Sequence, residues 1–315
     1  MTSNSPLDAA LQAAAQYTGQ HPTQVLPLPA SGSQRAYFRL QYGTDSSLLL
    51  ALHEHIAENR AFVEQSRILR QAGAPVPQVH LFFDNQRGYL LEDLGNESLL
   101  DTRQTLHTDE ATRELYAPVL ADLVRLQTDW GLQIPVEQLQ SPTHFDAMAM
   151  GWDLAYFKYW LLMPSRVQFD EYALELDFQR LLQQLAHAKA DFWLFRDFQA
   201  RNILCSPYAA SSPETPFYYI DFQSSKRGAM QYDLASLLYQ ARAQLSPALR
   251  RQLLEDYCQL LAQKLPDTDI KAWQSDYYRF VLLRQLQVLG AYGFRGFYER
   301  KPHFLQSMRP AIDNV

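Results

Sequence analysis

The stretch Phe195-Arg196-Asp197-Phe198-Gln199-Ala200-Arg201-Asn202, read together with Ile220-Asp221-Phe222-Gln223 downstream, decides how this chain folds and what it can do. An Asp is followed by an Asn at the fifth position after it, and a second Asp closes the apolar run Tyr218-Tyr219-Ile220. Phosphoryl transfer asks for these groups. One carboxylate orients a hydroxyl and receives its proton, while an amide and a second carboxylate hold Mg²⁺ against nucleotide phosphates. Asp197 is the candidate for the hydroxyl, and Asn202 and Asp221 are the candidates for the metal. Each has a plainer reading alone: a turn-capping Asp, an ordinary turn Asn. A charge at the end of an apolar strand is costly unless paired or metal-bound, which favours the ligand reading of Asp221.

Composition narrows the classes. The chain has 315 residues, 47% of them hydrophobic and 20% charged, enough for one large domain or two lobes with sizeable cores. Acids outnumber bases 34 to 28, giving a net charge of −6 without a basic block, so nucleic acid is not an expected partner. Two cysteines, Cys205 and Cys258, form neither a disulfide framework nor a metal spacing, in keeping with a reducing cytoplasm. Met1 to Gln16 lacks the basic and apolar regions of a signal peptide. No apolar run reaches the length of a membrane span. The eight histidines show no metal-binding cluster, and Mg²⁺ arriving with a nucleotide needs none.

Periodicity gives the organisation. A short helix is expected over 6–18, ending near Gly19, then strands near Val25–Leu28, Tyr37–Leu40 and Ser47–Leu52. A helix follows from Asn59 to Ala72, with Phe62, Ile68 and Leu69 inward and Gly73 at its end. Val79–Phe83 and Tyr89–Leu91 read as a hairpin around Asp84-Asn85. Residues 1–95 thus form a small β-rich lobe, with Glu92-Asp93-Leu94-Gly95 as connector. Residues 96–315 are mostly helical, with helices at 109–130, 145–162, 171–189, 232–244, 246–264 and 270–294. The exception is a hairpin of Ile203-Leu204 with Phe217–Ile220 that carries the Asp/Asn/Asp set.

The catalytic stretches resemble the protein-kinase motifs H-R-D-x-x-x-x-N and D-F-G, with Phe195 in place of the His and Gln223 in place of the Gly. A small β lobe, an acidic connector and a helical lobe bearing these motifs resemble the aminoglycoside phosphotransferase family of small-molecule kinases. Gly228-Ala229-Met230-Gln231-Tyr232-Asp233-Leu234-Ala235 is similar to that family's segment after the metal-binding Asp, and Leu90–Gly95 to its hinge. Three further segments resemble the branch that phosphorylates the anomeric hydroxyl of N-acetylmuramate or N-acetylglucosamine in cell-wall recycling: Arg35–Leu40, Asp153–Trp160 and Arg284–Gly290. The resemblance covers roughly residues 20–310. It implies an α+β, two-lobed, protein-kinase-like fold and a cytoplasmic enzyme that moves the γ-phosphoryl of ATP, with Mg²⁺, to a small-molecule hydroxyl. An amino sugar is the favoured acceptor. A cationic alcohol such as an aminoglycoside or choline, and a catalytically silent sensing module, are the rival readings.

Resemblance also assigns the remaining roles. Ser31, Gly32 and Ser33 would approach phosphate through backbone N–H groups. Glu92, Asp93 and Leu94 would meet the base edge, and Asp233 would brace the catalytic loop, unless it is simply a helix N-terminal Asp. Phe195 can pack as the motif His does but cannot hydrogen-bond. The main departure is that kinases place a Lys on the third strand, paired with a helix Glu, and the first lysine here is Lys158. Arg35 is the favoured substitute, with Arg39 and His53 as alternatives, and Glu64 could be the counter-charge. Asp153 and Arg201 are the candidates for the acceptor, with Arg284 and Arg295 as remoter ones for an acidic sugar. The aromatic run Trp152–Trp160 could stack on a sugar or simply be core.

Overall fold

A computed structural model describes residues 5–29, 35–44, 46–206 and 216–314. In chain order the elements are α1 (Pro6–Thr18), β1 (Gln24–Pro27), β2 (Ala36–Gln41), β3 (Ser47–Leu52), α2 (Ile56–Gln71), β4 (Val79–Phe82), β5 (Gly88–Glu92), α3 (Leu99–Thr105), α4 (Asp109–Arg125), α5 (Ala147–Phe157), α6 (Glu171–Leu185), β6 (Phe192–Leu194), β7 (Ile203–Cys205), β8 (Phe217–Tyr219), β9 (Lys226–Gly228), α7 (Gln231–Leu238), α8 (Pro247–Lys264), α9 (Ile270–Gly293) and α10 (Pro302–Ile312). They form two compact units. One is Met1–Asn96 with Gln133–Gln140 and Leu204–Ser224; the other is Glu97–Leu132 with Ser141–Ile203 and Ser225–Val315. The first unit therefore takes two later segments that a single cut after residue 95 leaves with the helices.

The first unit is an antiparallel five-stranded sheet in the order β1-β2-β3-β5-β4. Alternation along the strands divides its faces. Leu40, Leu50 and Leu90 join Tyr42 and Phe83 against Ala10 and Ala14 of α1. That helix is nucleated by a reciprocal Ser5/Asp8 capping box and stopped by Gly19 at φ 74°. Tyr89 is offset by one residue from Leu90 and so faces the other way, where Phe62 of α2 stacks on it at 5.0 Å. The Asn59 amide donates to the carbonyls of His53 and Gln86, both at 2.8 Å, so α2 begins at Ile56 rather than at Asn59. The β7–β8 hairpin is tied to this unit by the Tyr219 N–H, which donates to the Pro75 carbonyl at 2.9 Å.

The second unit is built around α5, α6, α7 and α9. Phe145, Met150, Leu154, Phe178, Leu194, Tyr232, Phe280 and Leu283 lie in one buried cluster. Every residue of α7 is buried. Helix α9 crosses α5 closely because Gly290 and Gly293 lack side chains. A Cβ there would lie 2.7 Å from the Phe157 nitrogen and 2.2 Å from the Trp160 carbonyl oxygen respectively. Helices α4, α5 and α9 each run on into a π-helical turn, Leu126–Trp130, Lys158–Leu162 and Phe294–Tyr298. The short pair β6–β9 projects from this core and delivers the chain to Phe195.

This is the α+β class expected from the sequence, a small β-rich unit and a larger helical one. The helix α3, the strand pair β6–β9 and α10 are additions that periodicity did not reveal. No helix among the described residues is long and apolar enough to cross a membrane.

Candidate active site

The catalytic loop follows β6. Phe195 is 1% exposed and packs edge-on against Trp193 and Phe198, which gives the loop an apolar root where the kinase motif has His. The next residue, Arg196, takes a left-handed backbone at φ 76°, an unusual conformation for a residue with a Cβ. Asp233 of α7 holds this bend, its two oxygens accepting from the N–H groups of Phe195 (2.7 Å) and Arg196 (2.9 Å). Burial pushes the Asp233 carboxyl up to about 7, against the pull of those two N–H groups and of Arg284 and Arg196. Farther along, the Gln240 side chain accepts from the Ala200 N–H at 2.7 Å. The Asn202 amide donates to the Asp197 carbonyl at 2.8 Å. Asp197 and Asn202 are thus brought together on one rigid loop.

The Asp197 carboxylate receives Arg284 of α9 at 2.9 Å and keeps 42% of its side-chain surface exposed. Loss of solvent pushes its pKa up, but Arg284, Arg201 and Arg196 outweigh this and hold it below the usual carboxylate value. Arg201 is exposed beside it. Asp153 lies in the same unit but turns inward. Its carboxylate takes both arms of Arg196, at 3.1 and 3.2 Å, and the Tyr232 hydroxyl at 3.2 Å. The Arg196 guanidinium lies against the rings of Phe145 and Tyr232, 4.1 and 4.9 Å from their centroids. Within Trp152–Trp160, Trp152 and Tyr159 are exposed, whereas Tyr156 and Trp160 pack with Phe294 of the last π-helical turn.

Other sequence candidates lie in the first unit. Asp221 sits at φ 74°, and the Gln223 side chain donates to its carboxylate at 2.8 Å. Phe222 is buried beneath Phe62 at 5.0 Å, as an anchor for the bend. Arg35, at the start of β2, is 4% exposed and 3.5 Å from Glu58. Glu58, not Glu64, is the counter-charge; Glu64 pairs instead with Arg67 on its own helix. The difference follows from the earlier start of α2, which puts Glu58 in its first turn. Arg39 and His53 are not equivalent substitutes for a strand Lys. Arg39 forks onto Asp93 at 2.5 and 2.9 Å, and burial together with Arg35 lowers the His53 pKa.

In the connector, the Asp93 side chain also accepts from Ser47 and the Gly95 N–H, so it fixes the backbone rather than facing outward. Glu92 has its N–H on the Gln78 carbonyl and its carboxylate on Arg70 and the Gln78 N–H. Leu94 is buried. Ser31, Gly32 and Ser33 lie outside the described residues.

No cluster of three or more His, Cys, Asp or Glu among the described residues could hold a metal alone. Mg²⁺ binds one or two protein oxygens and completes its shell with phosphate and water. With the Asn202 nitrogen given to Asp197, the atom that amide can offer a cation is its oxygen. Asp221, in the first unit, bears a carboxylate. An amide oxygen and a carboxylate are hard donors of the type Mg²⁺ takes.

Residues 24–269 match the model of the phosphotransferase enzyme family. The chain belongs to that family. It is 28% identical over 221 residues to an N-acetylmuramate/N-acetylglucosamine kinase of Pseudomonas aeruginosa, a match covering 69% of this chain and 60% of that protein. To the enzyme of the same name from Pseudomonas putida it is 26% identical over 294 residues, covering 91% of this chain and 81% of the relative. The fold is also that of a solved aminoglycoside 2'-phosphotransferase-IIIa in complex with GDP, with a TM-score of 0.65 at 15% identity, over 98% of each chain. As a member of the phosphotransferase family, the chain carries that family's fold. The sequence reading had not reached Glu58, Tyr232 or the partnership of Arg284 with Asp197. The Arg284–Gly290 segment and the Tyr232-Asp233 pair were the signals available.

Proposed function

We propose that this phosphotransferase moves the γ-phosphoryl of ATP to the anomeric hydroxyl of an N-acetylated amino sugar in the cytoplasm. The observation that carries the acceptor class is the charge around Asp197. Arg284 touches it, and Arg201 and Arg196 both act on its carboxylate. A polycationic acceptor needs acidic partners beside the reacting hydroxyl. Here the acid nearest Arg196, Asp153, is tied to it. Guanidinium groups repel an aminoglycoside or choline head and tolerate a neutral or carboxylate-bearing sugar. The names of the two Pseudomonas relatives point the same way.

In the reaction, Asp197 accepts a hydrogen bond from the sugar hydroxyl and aims its oxygen at the γ-phosphorus. As the new P–O bond forms, the bond to the bridging oxygen breaks, ADP leaves and the hydroxyl proton passes to Asp197 and then to water. A carboxylate held at low pKa is a weak base, so its contribution is orientation until late in the transfer. Asn202 and Asp221 would hold Mg²⁺, which supplies charge neutralisation to the phosphates. Arg35, braced by Glu58, would grip phosphate, and the backbone at Glu92, Asp93 and Leu94 would meet the base.

The test is ATP consumption with Mg²⁺ against N-acetylmuramate, N-acetylglucosamine, other sugars, choline and kanamycin, with Asp197→Asn as the blank. Turnover of the N-acetylated sugars, with phosphate at C1 by NMR, is expected. Turnover of kanamycin or choline in preference would overturn the acceptor class. An Asp197→Asn enzyme of parental speed would overturn the role of Asp197.

A further inference from the structure

We propose that Arg284 is a positioning residue for transfer, clamping one oxygen of Asp197 so that the remaining oxygen is presented to the acceptor hydroxyl. This rests on the reading of Asp197 given above. Arg284 is 2% exposed and lies on α9. One of its terminal nitrogens donates to Asp197 Oδ1 at 2.9 Å. The other donates to the Tyr232 hydroxyl at 3.1 Å and to Gln287 at 3.0 Å. A guanidinium is a planar fork, so fixing one arm fixes the direction of the other. The Tyr232 hydroxyl donates in turn to Asp153 at 3.2 Å, and Asp153 holds the Arg196 fork. Arg196 immediately precedes Asp197, and its N–H is bound by Asp233. The chain of contacts from Asp197 through Arg284, Tyr232, Asp153 and Arg196 therefore closes on the backbone next to its starting point.

A ring of this kind has a mechanical consequence. The backbone just before Asp197 is held by Asp233, the Asp197 carbonyl accepts from Asn202, and one carboxylate oxygen is held by Arg284. The Asp197 side chain nevertheless keeps 42% exposure, so the carboxylate is both oriented and accessible. A carboxylate bound on neither oxygen would rotate among several orientations, few of which meet a hydroxyl in line with the phosphorus. Arg284 touches neither phosphate nor reacting atoms in this scheme, and its effect on the transfer step runs through Asp197.

A double-mutant cycle separates this from a merely structural role, because a residue that works through Asp197 loses its effect once Asp197 is disabled. The cycle uses Arg284→Met and Asp197→Asn, singly and together, in the full chain. It is read on the best acceptor of the panel, or on the slow transfer from ATP to water. Arg284→Met is expected to lower kcat about 100-fold while the KM for ATP moves less than about twofold. In the Asp197→Asn background the same change is expected to alter the residual rate less than about threefold. Arg284→Lys, which restores a charge but not the fork, should give an intermediate kcat, and it completes the cycle if Arg284→Met does not fold. Costs that multiply between the two sites would overturn the proposal. So would parental kcat in Arg284→Met beside a disabled Asp197→Asn. Parental activity in Asp197→Asn would instead sink the reading on which it rests.

Discussion

Arg35 and Glu58 form a strand-to-helix ion pair, 3.5 Å apart, with the guanidinium almost wholly enclosed. Protein kinases keep a strand Lys and a helix Glu for the nucleotide phosphates. Under the proposed function Arg35, the residue before β2, takes the part of that cation. Arg35→Met is therefore expected to raise the KM for ATP about 10- to 100-fold, the worth of a charge-assisted contact to phosphate. Glu58→Gln should raise it less, since Arg35 keeps its charge. ATP titrations at saturating acceptor decide; a KM within twofold of the parent in Arg35→Met would remove Arg35 from the nucleotide site.

Asp233 replaces two backbone-to-backbone bonds that the catalytic bend cannot make for itself. Asp233→Asn leaves one good acceptor and turns an amide N–H₂ toward a backbone N–H. The expected cost is about 1–3 kcal/mol in urea unfolding, with a larger relative loss in kcat than in acceptor KM. A variant of parental stability and rate would show that the bend holds without it.

Asp93 makes a pH prediction. Burial alone would raise its pKa, but the bonds from Arg39, Ser47 and the Gly95 N–H hold it below the ordinary carboxylate value. The folded chain thus gives up this proton at lower pH than the unfolded chain. The stability it contributes is complete above the unfolded pKa of about 3.9 and is lost as pH falls through the lower folded value. Asp93→Asn is expected to cost about 3 kcal/mol near neutrality, because it strands the Arg39 charge, and to flatten the fall in stability below about pH 4. Unfolding midpoints of both proteins across that range provide the check; parallel curves would contradict it.

The crossing of α9 over α5 sets a steric prediction. Gly293→Ala places a methyl 2.2 Å from the Trp160 carbonyl oxygen, a backbone atom that cannot turn aside. A loss of about 2–3 kcal/mol is expected from the forced separation of the helices, visible as a lowered Tm. Because Arg284 rides on the same helix, kcat should fall in folded protein as well. An unchanged Tm would mean that the helices can part at little cost.

Local signals made much of this legible. The glycine stop at Gly19, the alternation of Tyr37–Leu40 in β2 and the apolar runs of β3 and β5 are chemistry written within a few residues. The five-residue spacing that brings Asn202 onto the Asp197 carbonyl belongs to the same kind. Glu58 escaped because the start of α2 depends on where Asn59 sends its amide, and its partners are the carbonyls of His53 and Gln86. The seven residues of α3 are too few for periodicity, although Ser98 and Asp101 form a capping box there. The three-residue strands β6 and β9 are specified by each other and not by their own composition. Arg284 could be suspected from its motif, yet its contact with Asp197 spans 87 positions of chain and exists only once α9 is packed.

The family match ends at residue 269, and α9 begins at Ile270. Arg284, which grips Asp197, thus lies outside the residues matched by the family model, while Asp197, Asn202, Asp221 and Asp233 all lie within them. Under the proposed function, evolution can retune how the Asp197 carboxylate is held, and which acceptors are welcome beside it, by rewriting one helix late in the chain while the matched residues stay as they are. Chimeras that exchange only this helix between relatives offer a direct route to new acceptors.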